Sequence, residues 1–242
     1  MNSHDPKDLE LIERMGDDAD VARLSNELLA KACSYRYSYN FTWLGRPVIQ
    51  FPPDMVATQE IIWKLRPQLI VETGVAHGGS LIFSASILEL LGGEGRVIGI
   101  DIDIRAHNRA AIEAHPMSKR IDLIQGSSVD LAIVDEVKRR AEGRAPVLVI
   151  LDSNHSHAHV LSELECYSPL VKAGSYLIVQ DTVVEDMPEG MFPDRPWGPG
   201  DNPKTAVREF LKTTSRFEVD PEYESKLLMT GCPEGFLRCV AD

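Results

Sequence analysis

Five short runs of the chain are almost continuously apolar: QLIVET (68–73), RVIGID (96–101), IDLIQG (121–126), PVLVILD (146–152) and SYLIVQD (175–181). They are strand-length and rich in β-branched residues, the pattern of strands covered on both faces. Stretches of helical length separate them: GSLIFSASILELLG, DIRAHNRAAIEAH, VDLAIVDEVKRRA and AHVLSELECYSPLV. This alternation leaves few solutions. A parallel sheet with helices on both faces, joined by right-handed crossovers, predicts an α/β, doubly wound, Rossmann-like domain. With 242 residues, 43% of them hydrophobic, the chain can bury one such core.

Flanking segments read differently. DVARLSNELLAKACSYR carries Val21, Leu24, Leu28, Leu29 and Ala32 at helical spacing, so an amphipathic N-terminal helix is expected. WLGRPVIQFPPDM, with its prolines and glycine, reads as irregular, and MVATQEIIWKL as a helix ending before Pro67. After the fifth run comes EDMPEGMFPDRPWGPGDNP, a long loop rich in proline, glycine and acidic residues. Long loops in compact domains are usually lids or binding loops. KTAVREFLKTT then reads as a helix, and FEVD, KLLMTG and GFLRCV as closing strands, the last two able to pair as a hairpin.

Charge narrows the partners. The formal net charge is −12 and no Lys/Arg cluster offers a basic face, which argues against nucleic acid and against an anionic membrane surface. Four cysteines without a CxxC pair fit neither a zinc finger nor a disulfide scaffold and suit reduced thiols in a cytoplasmic protein. MNSHDPKDLELIERMGDD shows no apolar secretory core, and no apolar run is long enough to span a bilayer. A small-molecule partner is expected, and the N-terminal helix either docks on its own domain or supports a homo-oligomer.

In doubly wound folds ligands bind beyond the carboxyl ends of the strands. Glu72, Asp101, Gly126, Asp152 and Asp181 all fall at such ends. VETGVAHGGS follows the first strand and opens a helix. Gly74, Gly78 and Gly79 let the backbone turn tightly and approach a ligand, and the helix start offers free N–H groups. The spacing is G-x-x-x-G-G rather than the dinucleotide G-x-G-x-x-G. With Glu72 leading it, the turn suits an amine-bearing ligand such as S-adenosylmethionine (SAM) better than a pyrophosphate. Asp101, ending the second strand, is the expected ribose contact. Asp103 competes for that role, and Ser127 in QGSS is a candidate adenine contact.

VETGVAHGGS, VIGIDIDIRAHNR, LVILDSNHSHAHVLSELECYSPLV and SYLIVQDT together resemble the cephalosporin hydroxylase / rhamnosyl O-methyltransferase family of class I SAM-dependent methyltransferases, and YNFTWLGRPVIQFPPDM is similar to the segment that leads into that domain. The resemblance runs from about Tyr39 to the C-terminus. It implies a mostly parallel seven-stranded sheet, with residues 1–45 as a helical extension and 46–242 as the methyltransferase domain. It also implies a SAM site at Glu72, Gly74, Gly78, Ser80 and Asp101, and a magnesium or similar divalent ion at Asp152 and the pair Gln180–Asp181. Gln180 departs from the pattern, because glutamate is usual there. A neutral amide oxygen still suits a hard cation but removes one charge. His155, three residues beyond Asp152, stands where the family's proposed base stands.

The three histidines of SNHSHAH then have a setting. Ser153 or Asn154 is a candidate helix cap, and His155 and His159 are expected as i, i+4 partners on the following helix, with His157 turned away. A zinc site would need a further His or Cys ligand, and none is near. A base for an alcohol needs only one histidine. The expected function is SAM-dependent O-methylation of a sugar-like hydroxyl of a natural product or glycolipid, metal-assisted, with His155 as base. A phenolic or amine acceptor and a non-catalytic SAM-binding subunit are the alternatives. True hydroxylation lacks a facial-triad spacing or a flavin signature.

Overall fold

Residues 5–242 are described in a computed structural model; residues 1–4 lie outside it. Two helices come first, α1 (Pro6–Gly16) and α2 (Ala19–Cys33), capped by Asp5 and Asp18, which accept from backbone amides of the first turns. α1 was not anticipated from the sequence. The segment read as irregular holds a hairpin, β1 (Phe41–Trp43) against β2 (Arg46–Val48), and the next helix, α3 (Pro52–Leu65), starts at its paired prolines. Proline suits a first helical turn, where its missing N–H is no loss. Residue 45 falls in the hairpin turn. Leu29 of α2 is buried against Phe51, Val183 and Met187, so this helix packs on the rest of the chain.

The strand expectations hold to within two residues: β3 (Leu69–Thr73), β4 (Arg96–Asp101), β5 (Ile121–Gln125), β6 (Val147–Leu151) and β7 (Tyr176–Val179). Between them lie α4 (Gly79–Leu91), α5 (Ala106–Glu113), α6 (Leu131–Ala141) and α7 (His157–Tyr167). Then follow α8 (Pro203–Thr213), β8 (Phe217–Val219), α9 (Pro221–Lys226) and β9 (Phe236–Cys239). KLLMTG is not a strand: Lys226 ends α9 and the remainder is irregular. The expected hairpin is therefore absent, and β9 instead pairs antiparallel with both β7 and β8.

The seven strands are ordered β5-β4-β3-β6-β7-β9-β8, parallel except for β9's pairings. Side chains alternate across this sheet. Ile70, Leu148, Ile150 and Ile178 join the core under α3 and α4, while Leu69, Val71, Val149 and Val179 join the core under α6, α7 and α8. The chain leaves β3 in one direction and reaches β6 in the other, so their adjacent carboxyl ends form the switch point where such sheets take ligands.

Candidate active site

At the switch point the turn after β3 passes very close to the end of β6. Gly74 has φ +90°, and a Cβ there would stand 1.9 Å from the carbonyl oxygen of Asp152. Only glycine satisfies both the dihedral and the approach. Val75 N and Ala76 N donate to Asp101 Oδ2 at 2.8 and 3.2 Å, and Asp103 N donates to Asp101 Oδ1 at 3.0 Å. Asp101 thus fixes the turn and at the same time lines a cavity of about 450 Å³ with Ser127, Ser128 and Asn154. An adjoining cavity of about 230 Å³ is lined by Gly74, Gly79 and Ser80 on one side and by Asp152, His155 and Asp181 on the other.

Glu72 reaches this second space through Ser80, whose hydroxyl donates to Glu72 Oε1. Glu72 Oε2 is buried without a partner. Burial pushes the carboxyl up to about 8, opposed by the Ser80 hydrogen bond and reinforced by the charge of Asp152. An acidic group beneath a glycine turn, with one oxygen unsatisfied, fits a ligand that brings a cation.

Asp152, His155 and Asp181 come together from two strand ends. His155 Nε2 is 3.3 Å from Asp181 Oδ2 and 3.7 Å from Asp152 Oδ1. One ligand atom from each lies within 4.8 Å of the others, a donor set of two carboxylates and an imidazole that fits a divalent ion. Asp181 sits in the left-handed region (φ +55°, ψ +22°), an uncommon conformation for a side-chain-bearing residue and one concentrated at functional sites. Burial pushes Asp152 up to about 6, against the pull of His155. Desolvation lowers the pKa of His155, but the charges of Asp181 and Asp152 outweigh it and the net shift is upward.

The other two histidines serve the scaffold, and the expected pairing of His155 with His159 does not form. The helix begins at His157, so His155 lies in the turn before it, where Asn154 Oδ1 accepts from Ser156 N at 2.9 Å. His159 Nε2 is 3.1 Å from Ser128 Oγ and 3.2 Å from Ser153 Oγ, and Ser153 also donates to the buried Glu163. His157 Nδ1 lies 2.8 Å from Thr205 Oγ1, tying α7 to α8.

Gln180 is 6% exposed, and its Oε1 accepts from Cys232 Sγ at 2.9 Å. Burial holds the Cys232 thiol protonated, so it is the donor and fixes the amide orientation, leaving Gln180 Nε2 buried without a partner. The amide oxygen expected at the metal is therefore engaged by a thiol.

A roof covers the site. Trp197 and Arg195, from the long loop, line all three of the spaces that meet around the Asp152–His155–Asp181 cluster: the two already described and a third of about 390 Å³ that continues towards the N-terminal segment. Glu185 Oε2 accepts from Gly200 N at 2.7 Å and from the side chain of Asn202, and Asp201 Oδ1 accepts from His157 N at 2.7 Å. The loop is thus pinned at its base.

The family model for "Rhamnosyl O-methyltransferase/CmcI" matches residues 35–240. The chain belongs to the rhamnosyl O-methyltransferase/CmcI family. A rhamnosyl O-methyltransferase of Mycobacterium tuberculosis is 32% identical over 201 residues, covering 81% of this chain and 77% of the relative. One from Mycobacterium leprae is 31% identical over 199 residues, covering 81% and 82%. Among solved structures, CmcI in its Mg-SAM form superposes with a TM-score of 0.59 at 25% identity, over 84% of this chain and 78% of that one. A Bacillus cereus O-methyltransferase in complex with SAH (S-adenosylhomocysteine) shares the fold, with a TM-score of 0.52 at 15% identity, over 92% and 91%.

The family match begins beyond α1 and α2, yet the third cavity takes Cys33 and Ser34, just ahead of the match, into its wall. Asp54, also in this cavity, escaped the sequence reading because the PPDM motif looks like a plain helix start. What buries it is a turn 177 positions away, where Gly231 N donates to Asp54 Oδ2 at 2.7 Å.

Proposed function

We propose that this protein transfers a methyl group from SAM to a hydroxyl of a sugar-like acceptor, assisted by a divalent ion. The observation that carries the reading is the Asp152–His155–Asp181 cluster at the junction of three cavities beside a glycine turn. SAM supplies a methyl group on a sulfonium, a direct displacement that needs an oxygen nucleophile and no phosphate site. A divalent ion supplies positive charge that acidifies a hydroxyl.

The chain's residues divide the remaining work. Gly74 and Gly78 shape the turn around the cofactor, Ser80 and Glu72 face its amino-acid end, and Asp101 and Ser127 line the cavity suited to its nucleoside. Asp152 and Asp181 would hold the ion. His155 accepts the hydroxyl proton at Nε2, the nitrogen that faces both carboxylates. Trp197 and Arg195 exclude water from above. The third cavity has an apolar wall of Phe51, Val183, Met191 and Phe192, which suits a sugar borne on an apolar body.

The test is a mass-shift screen of rhamnosides and other glycosides with SAM, each with magnesium and with EDTA. A gain of one methyl group that requires the ion is expected. Methylation only of free phenols or amines would replace the acceptor class, and SAH binding without any turnover would favour a non-catalytic subunit.

A further inference from the structure

The floor of the third cavity carries two buried polar atoms of opposite sense, neither with a partner: Asp54 Oδ1 and Gln180 Nε2. Asp54 is 1% exposed and Gln180 6%. One short turn holds both. Gly231 N donates to Asp54 Oδ2 at 2.7 Å, and the next residue, Cys232, donates from Sγ to Gln180 Oε1 at 2.9 Å. Each side chain is anchored at one end by this turn. Burial raises the pKa of Asp54 and the turn's Thr230 and Cys232 side chains lower it, while Oδ1 and Nε2 make no hydrogen bond of good geometry. A buried polar atom without a hydrogen bond is costly, so two lining one cavity point to a ligand that satisfies them. An acceptor and a donor on the wall of one cavity match a hydroxyl, which both gives and takes a hydrogen bond. His155 and Asp181 line the same cavity, so a molecule standing on this floor also reaches the proton acceptor.

We propose that Asp54 and Gln180 bind a sugar hydroxyl that is not methylated, and so set which neighbouring hydroxyl meets His155. The inference rests on the proposed sugar O-methylation. It makes Gln180 a specificity-determining residue of the acceptor site and not a metal ligand. Discrimination built this way is strong, because an analogue lacking the hydroxyl leaves both polar groups unpaired again.

The experiment uses p-nitrophenyl α-L-rhamnoside and its 2-, 3- and 4-monodeoxy analogues, with the full-length protein, SAM and magnesium. Asp54→Asn and Gln180→Glu keep side-chain shape, and SAH affinity by calorimetry reports folding for each. Both variants are expected to raise KM for the parent rhamnoside at least tenfold, with SAH affinity within twofold of wild type. One monodeoxy analogue should lose a similar factor with wild type and lose little more with the variants, as a double-mutant cycle requires. If wild type methylates the rhamnoside but KM is unchanged in both variants, the floor is satisfied by solvent and the proposal fails while the function stands. If Gln180→Glu instead lowers the magnesium concentration needed for half-activation with KM unchanged, Gln180 belongs to the metal site and the proposal fails. If wild type methylates no glycoside, the sugar reading falls and this inference with it.

Discussion

The indole of Trp197 lies beside the imidazole of His155, with ring centroids 5.0 Å apart and planes inclined by 35°. Phe192 and Arg195 pack on the same indole, at 5.1 and 5.7 Å. The anchors of the loop are elsewhere, at Glu185 and Asp201. Cover and anchorage therefore reside in different side chains and should separate on mutation. Trp197→Ala is expected to raise the acceptor KM about tenfold by exposing the reaction to water, while Tm falls by less than about 4 °C, the worth of about 1 kcal/mol in a chain of this size. A larger loss of Tm with unchanged kinetics would make the tryptophan an anchor.

Glu185→Ala should show the converse. It removes the acceptor of the Gly200 amide and of the Asn202 side chain, and Asn202 also caps α8 through a reciprocal bond with Thr205. Hydrogen bonds to a charged group contribute roughly 1.5–3 kcal/mol, so a Tm loss of roughly 3–12 °C is expected, with faster proteolysis between residues 186 and 200. A protease-resistant loop and an unchanged Tm would mean that Asp201 alone suffices.

These two cases show what sequence can and cannot carry. The five apolar runs determine strand identity because burial on both faces leaves a local signature, and each chemically active residue expected at a strand end is found at that sheet edge. The loop that carries Trp197 and Phe192 is legible as a lid or binding loop from its length and its prolines and glycines. Asp54 was not, because its burial depends on Gly231, and nothing near it in the chain hints at that contact. KLLMTG fails for a related reason: its apolar residues pack irregularly beside α9, and β9 takes the place beside β7 that a local hairpin would have filled. The i, i+4 spacing sets His155 on a helix, because spacing alone cannot show that the helix begins two residues later.

Glu72 predicts a proton linkage. Its carboxyl is raised to about 8, so at pH 7 the unliganded protein holds it mostly protonated. The ammonium group of SAH favours the carboxylate, so binding should release a proton from Glu72. Calorimetry at pH 7 in buffers of different ionisation enthalpy should show net release approaching one proton, and affinity should rise with pH until Glu72 is ionised. Glu72→Gln should abolish both effects. The same shift acts on stability. The raised folded-state pKa gives stability that is complete below the unfolded value of about 4.5 and is lost as pH rises through about 8. Without ligand, the Tm of wild type should therefore fall relative to Glu72→Gln across that window. An identical pH dependence for the two proteins would place the proton elsewhere.

The last prediction separates holding an ion from moving a proton. Asp152, Asp181 and His155 lie close enough to share one ion, so activity alone cannot distinguish ligand from base. EDTA should abolish turnover and magnesium restore it. Asp181→Asn removes one charge from the donor set and should raise the magnesium concentration for half-activation at least about tenfold, the effect of about 1.4 kcal/mol. His155→Ala should instead lower kcat by about 10²–10⁴-fold, the usual contribution of a general base, with the magnesium requirement and SAH affinity nearly unchanged. Its residual rate should also rise more steeply with pH than that of wild type, because hydroxide replaces the missing acceptor. If His155→Ala weakens magnesium activation as much as Asp181→Asn does, the imidazole is a ligand. The base must then be sought among the remaining groups that face the acceptor cavity, where Asp54 is the carboxyl that burial raises to about 7, within the range a base at neutral pH requires.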